Sequence, residues 1–162
     1  ICIIDQSPKL VTDATWRNGI YGDFDAVSSQ DLINELDKDF AEAVLRLIAY
    51  GLNSRSRETY ERNSSGWQDS RKNLQQLDPQ AQISIWKSLV AADYRDVMPL
   101  ITVPTLLAFG AQSNFYTAAV AQYLLTHITN ARLSCYEKAD HCPQLIDPQR
   151  FTAELVELLA AS

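Results

Sequence analysis

The sequence predicts an α/β fold: a short parallel sheet whose strands are interrupted by an inserted helical block. Three observations carry this. Apolar runs too short for helices stand at residues 1–4, 105–109 and 132–136, each bounded by Pro, Gly or polar residues. Between the first two runs lies a long stretch with amphipathic helical spacing. After residue 104, strand and helix alternate, an order that buried strands satisfy by parallel pairing with right-handed crossovers.

Ile1-Cys2-Ile3-Ile4 reads as a buried strand ending at Asp5-Gln6-Ser7-Pro8, because proline cannot donate to a sheet ladder. Residues 9–27 set Gly19, Gly22, Asp13, Asp23 and Asp25 around Trp16, Tyr21 and Phe24, an ordered loop under aromatic anchors. Ser28-Ser29-Gln30-Asp31 reads as a capping box, and Leu32, Leu36, Phe40, Ala43 and Leu47 follow at helical spacing to a stop near Gly51. Residues 54–66 are polar and broken by Asn63-Ser64-Ser65-Gly66, and a second helix is expected over 67–76. A third starts at Asp78-Pro79 and carries Ile83, Trp86, Leu89 and Val90 on one face.

The texture changes after Met98-Pro99. Thr105 to Phe109 is a continuous apolar strand stopped by Gly110. Residues 117–128 are helical, with Val120, Leu124 and Ile128 inward. Arg132 to Tyr136 is the next strand, and Asp147-Pro148 opens a last helix through Phe151, Leu155 and Leu158. The chain thus divides into a core strand and turn (1–8), an inserted helical block (9–98) and C-terminal core strands and helices (99–162). It opens at Ile1 inside an apolar run, which carries the expectation that a preceding part of the sheet comes from a removed segment or another chain.

Composition narrows the function. With 46% hydrophobic and 21% charged residues over 162, the chain is expected to bury a real core. A net charge of -6 disfavours nucleic acid and anionic membrane as partners, since both need concentrated positive charge. The densest basic stretch, Arg55 to Lys72, is interleaved with Glu58, Glu61 and Asp69 and reads as a solvated face. No apolar run approaches the roughly 20 residues of a membrane span. Cys2, Cys135 and Cys142 form no C-x-x-C pair; the first and second are expected to be buried thiols, and the odd count suits a reducing, cytoplasmic setting. The two histidines, His127 and His141, have no zinc spacing, so neither metal nor cofactor is expected.

The ordered motifs resemble the second half of an α/β-hydrolase with its cap, over essentially the whole chain. Ile101-Thr102-Val103-Pro104-Thr105-Leu106-Leu107-Ala108-Phe109-Gly110 is similar to the family strand that precedes the triad acid, and Asn130-Ala131-Arg132-Leu133 to the entry of its last strand. Ala139 to Phe151, containing His141, Pro143 and Asp147-Pro148, resembles the family's histidine segment, with Asp140 where Gly is usual. Ile4-Asp5-Gln6-Ser7-Pro8 resembles the strand following the nucleophile helix, and the style is that of the esterase and cofactor-free haloperoxidase branches.

The resemblance implies acyl transfer by a nucleophile, a histidine that moves its proton, an acid that orients the histidine, and backbone donors for the oxyanion. His141 is the implied base, while His127 at a helix end is the structural histidine. No Gly-x-Ser-x-Gly nucleophile elbow occurs, and the family places it upstream of the opening strand, in an N-terminal half. The usual acid position holds Ser113, in Gly110-Ala111-Gln112-Ser113, and serine carries no charge. Asp5 is the expected replacement, at a strand end that some dehalogenases and lipases use; Asp140 is the alternative. Ser113 and Asn114 then cap the next helix or bond within the site. Trp16 and Trp67, outside strong helical patterns, are the candidate pocket aromatics, and Trp86 is expected to be structural. The implied substrate is a small apolar ester or related acyl compound. Two further readings stand beside it: dehalogenase-type cleavage with an Asp nucleophile, and a degenerate, non-catalytic binding module.

Overall fold

The computed structural model describes residues 1–160. Three parallel strands, β1 (Cys2–Ile4), β2 (Thr105–Gly110) and β3 (Ala131–Tyr136), pair in the order β1-β2-β3. Ile3 stands opposite Leu107, which stands opposite Leu133. Every residue of the central strand β2 is buried. That explains its unbroken apolar run: a strand covered on both faces has no solvent side to mark with polar residues. Leu107 and Phe109 point to one face, packing with Val120, Ala121 and Leu124 of α6 (Ala118–His127). Ala108, on the opposite face, packs with Tyr136, Ala139 and Phe151 of α8 (Pro148–Ala160). A single turn, α7 (Pro143–Ile146), precedes α8.

Between β1 and β2 lie five α-helices: α1 (Ala26–Lys38), α2 (Phe40–Ala49), α3 (Ser54–Glu61), α4 (Ser65–Leu74) and α5 (Pro79–Ala91). The sequence resolves them less well than the strands. The helix expected from Ser28 to Gly51 is two, broken at Asp39, whose extended backbone (φ -150°, ψ 90°) cannot continue a helix. Asp39 closes α1 with its N–H and caps α2 with its side chain, which accepts from Glu42 N at 3.1 Å. The cap of α1 is Asp25, not Ser28: its carboxylate accepts from Ser28 N at 2.9 Å. The polar stretch forms α3, which Asn53 caps through Arg55 N at 3.0 Å, and the chain breaks at Asn63-Ser64 before α4. Asp78 caps α5 as its Pro79 signature predicts, at 3.0 Å from Gln80 N. Cys135, expected to be buried, is exposed, since its neighbours Ser134 and Tyr136 are the β3 residues turned toward α8. Among the described residues no helix is long and apolar enough to cross a membrane.

The block is stitched to the core at several places, among them its base and the segment after β2. At its base, Tyr94 N donates to Pro8 O at 2.9 Å, and Lys9 and Asp93 form an antiparallel bridge. Deeper, fully buried Asn114 accepts from Asn53 N (3.1 Å) and donates to Ile48 O (3.1 Å) and Ser56 Oγ (2.8 Å). Its carbonyl accepts from Leu52 N, and Gly51 lies so close that a Cβ there would stand 2.4 Å from that oxygen. One side chain therefore bonds the end of α2 and the start of α3 together.

Asn114→Ala should lower the urea midpoint of the chain, because each buried group left unsatisfied costs about 1–3 kcal/mol. Exposed Asn34→Ala is the reference and should change it little. Equal midpoints for the two variants would remove Asn114 as the tie between block and core.

Candidate active site

The site forms where three strand ends meet. Asp5 follows β1, and its N–H still donates to Ala108 O at 2.8 Å. Its backbone then turns into the left-handed region (φ 39°), which non-glycine residues adopt at a cost of about 1–3 kcal/mol when something holds them there. The carboxylate it delivers is completely buried. A buried charge needs several donors, and three converge on it. Ser113 Oγ donates to Oδ2 at 2.6 Å, Gly110 N to Oδ1 at 3.3 Å, and His141 Nδ1 lies 2.8 Å from Oδ2.

Ser113 follows β2, where its Oγ also accepts from Phe115 N (3.2 Å) and Tyr116 N (3.1 Å). Neighbouring Asn114 faces the helical block. The two residues expected to cap or bond locally thus face different partners: one the carboxylate, the other the helices.

His141 sits in the loop between β3 and α7. Its ring packs edge-on against Phe115 with centroids 4.6 Å apart, and Tyr116 lies at 6.2 Å. The ring is about one-third exposed, and Nε2 forms no hydrogen bond among the described residues. The loop is fixed against β2: Gln112 N donates to Ala139 O (2.9 Å) and Ala111 N to Tyr136 O (3.0 Å). Gly110 makes this approach feasible, since a Cβ there would stand 1.9 Å from Asp140 O and 2.6 Å from Ala139 O. Asp140 turns its carboxylate onto the N–H of His141 rather than behind the imidazole.

Two neighbouring groups, Tyr116 and Cys142, are held in their neutral forms. Burial pushes the Tyr116 phenol well above its ordinary range, and its hydroxyl donates to Gln6 Oε1 at 3.2 Å. Burial also raises the Cys142 thiol, with the Asp140 and Asp5 charges adding to it, so this cysteine is not a ready thiolate. Ser7 is spent on the backbone, its single hydroxyl proton shared between Lys9 O at 2.7 Å and Asn18 O at 3.0 Å.

The structure brings His141, Asp5 and Ser113 together and leaves the two tryptophans elsewhere. Trp16, expected to line a pocket, is 4% exposed; its indole N–H donates to Lys9 O and its ring meets Tyr123 and Arg95. That ring is a structural anchor with almost no surface for a ligand. Trp67 bonds Thr59 Oγ1 at 2.9 Å and lines an open apolar cavity of about 610 Å³ with Val44, Ile48 and Leu74. A cleft of about 600 Å³ borders Gly110 and Ser113, but His141 does not line it. His127 stacks on Tyr123 and bonds its carbonyl, as a helix-end histidine does.

No protein-family model matches the chain. It is 24% identical over 153 residues, 94% of its length and 57% of the relative's, to the pimeloyl-[acyl-carrier protein] methyl ester esterase of Vibrio vulnificus. A hydrolase from Oleispira antarctica superposes with a TM-score of 0.78 at 22% identity, covering all of this chain and 56% of that one. The bromoperoxidase of Bacillus anthracis gives 0.73 at 13% identity, over 94% and 54%. The chain therefore spans a little over half the length of the proteins it matches.

Gly110→Ala should destabilise the chain by at least the roughly 1–3 kcal/mol of an overpacked core site, and release the His141 loop. Faster amide exchange at Ala111 and Gln112 would report the release; unchanged exchange with unchanged stability would contradict the close-approach argument.

Proposed function

From the α/β-hydrolase fold of this chain, we propose that it is the acid- and histidine-bearing part of a serine-type hydrolase cleaving small apolar carboxylic esters. The carrying observation is the 2.8 Å bond between His141 Nδ1 and the wholly buried carboxylate of Asp5. With Nδ1 donating to Asp5, Nε2 is the bare nitrogen, able to take the proton of an attacking hydroxyl and return it to the leaving alcohol. The Asp5 charge fixes this tautomer and stabilises the imidazolium that forms. In this reading the serine, and part of the oxyanion hole, come from an N-terminal half outside these residues, which hold no Gly-x-Ser-x-Gly.

An ester is favoured by the methyl ester esterase relative and by a site that offers only proton-transfer groups. Helices α1–α5 serve as the cap in this reading, with Trp67 as the remaining aromatic candidate for substrate contact. Acid placement at Asp5 also suits halide cleavage by an Asp nucleophile, and the residue labelled during turnover separates the two.

In the assembled enzyme, Asp5→Asn should cut kcat on a chromogenic ester by up to about 10⁴-fold, as comparable triads do when the acid loses its charge. His141→Ala should abolish turnover, and Asp140→Asn should be mild. A serine-directed phosphonate should label the nucleophile. If Asp5→Asn proves silent while His141→Ala is dead, the acid lies elsewhere; if no variant matters, the chain is a binding module.

A further inference from the structure

The hydroxyl of Ser113 has no freedom to choose its role. A serine Oγ carries one proton and two acceptor positions. Both acceptor positions are filled by amides that can only donate, Phe115 N and Tyr116 N. The residue is 7% exposed. The proton has one partner left, Asp5 Oδ2 at 2.6 Å. Asp5 in turn depends on such a partner. Rotation of a carboxylate about χ2 is broad, and apart from the imidazole it must meet, the remaining donor to it, Gly110 N, is a long 3.3 Å from Oδ1.

We propose that Ser113 is a positioning residue for His141: its O–H, aimed by the two backbone amides, locks the plane of the Asp5 carboxylate so that Oδ2 meets Nδ1. The residue in the usual acid position has thus become the donor that orients an acid from another strand. The same two amides belong to Phe115 and Tyr116, whose rings pack against the imidazole. One hydroxyl therefore ties the ring's packing to its hydrogen bond. This proposal rests on the Asp5–His141 reading of the site.

The test uses the 162-residue chain with nitrogen-labelled histidine. The Nδ1–H proton of His141 should be resolved and slow to exchange. In Ser113→Ala it should exchange about ten- to a hundredfold faster, the loss expected for one hydrogen bond to a charged group, while Ser113→Thr keeps the slow signal. In the assembled enzyme the same Ala variant should lose kcat by a similar factor with KM unchanged, and Thr should restore it. Should Ser113→Ala fail to fold, the unmodified chain still decides: the Ser113 hydroxyl proton should be protected and cross-relax with the Nδ1–H. An unaltered Nδ1–H in folded Ser113→Ala, or no protected hydroxyl proton in the unmodified chain, overturns the proposal. If the signature is intact but the assembled enzyme is inert, the positioning pair stands and the hydrolase reading is the one that fails.

Discussion

The buried carboxylate of Asp5 sets the terms for the rest of the structure. An ionised group shut away from water costs several kcal/mol unless its oxygens are supplied with donors. Here the donors come from three separate segments: Gly110 at the end of β2, Ser113 just beyond it, and His141 after β3. Holding them together forces local conformations that would otherwise be avoided. Asp5 takes a left-handed backbone, and residue 110 must lack a Cβ so that the Asp140 carbonyl can pass. These features are costs met at one place because the charge there has to be satisfied.

The same short segment carries the helical block. Ser113 faces the carboxylate, and the next residue, Asn114, faces the turn between α2 and α3, where it satisfies Ile48, Asn53 and Ser56. A side chain that is completely buried and bonded at both ends of its amide transmits position with little slack. The helices and the histidine are therefore registered to one another through adjacent residues, while Tyr94 with Pro8 and Lys9 with Asp93 close the base of the block.

The strands were legible from local signals, and the Asp5–His141 contact from the resemblance rather than from spacing. Apolar runs ended by Pro8 and Gly110 mark strands directly, and the resemblance around His141 drew attention to the missing carboxylate at position 113. Other features were hidden for identifiable reasons. The break at Asp39 interrupts an apolar periodicity that continues on both sides, so spacing alone could not reveal it. Trp16 looked available because no helix claimed it, yet its burial arises from Tyr123 and Arg95, far along the chain. Asn114 and Gly110 act through long-range contacts that composition does not register; the one available signal was a single glycine at the strand end followed by Ser-Asn before an aromatic pair.

The central claim is that Asp5 fixes the tautomer of His141, and nitrogen NMR of the imidazole tests it most directly. In histidine-labelled chain, at a pH where the ring is neutral, His141 should carry its proton on Nδ1 with Nε2 bare, and Asp5→Asn should destroy that preference. His127, bonded to the Tyr123 carbonyl, provides the internal reference unaffected by the substitution. A His141 ring protonated on Nε2, or one indifferent to Asp5→Asn, would contradict the account.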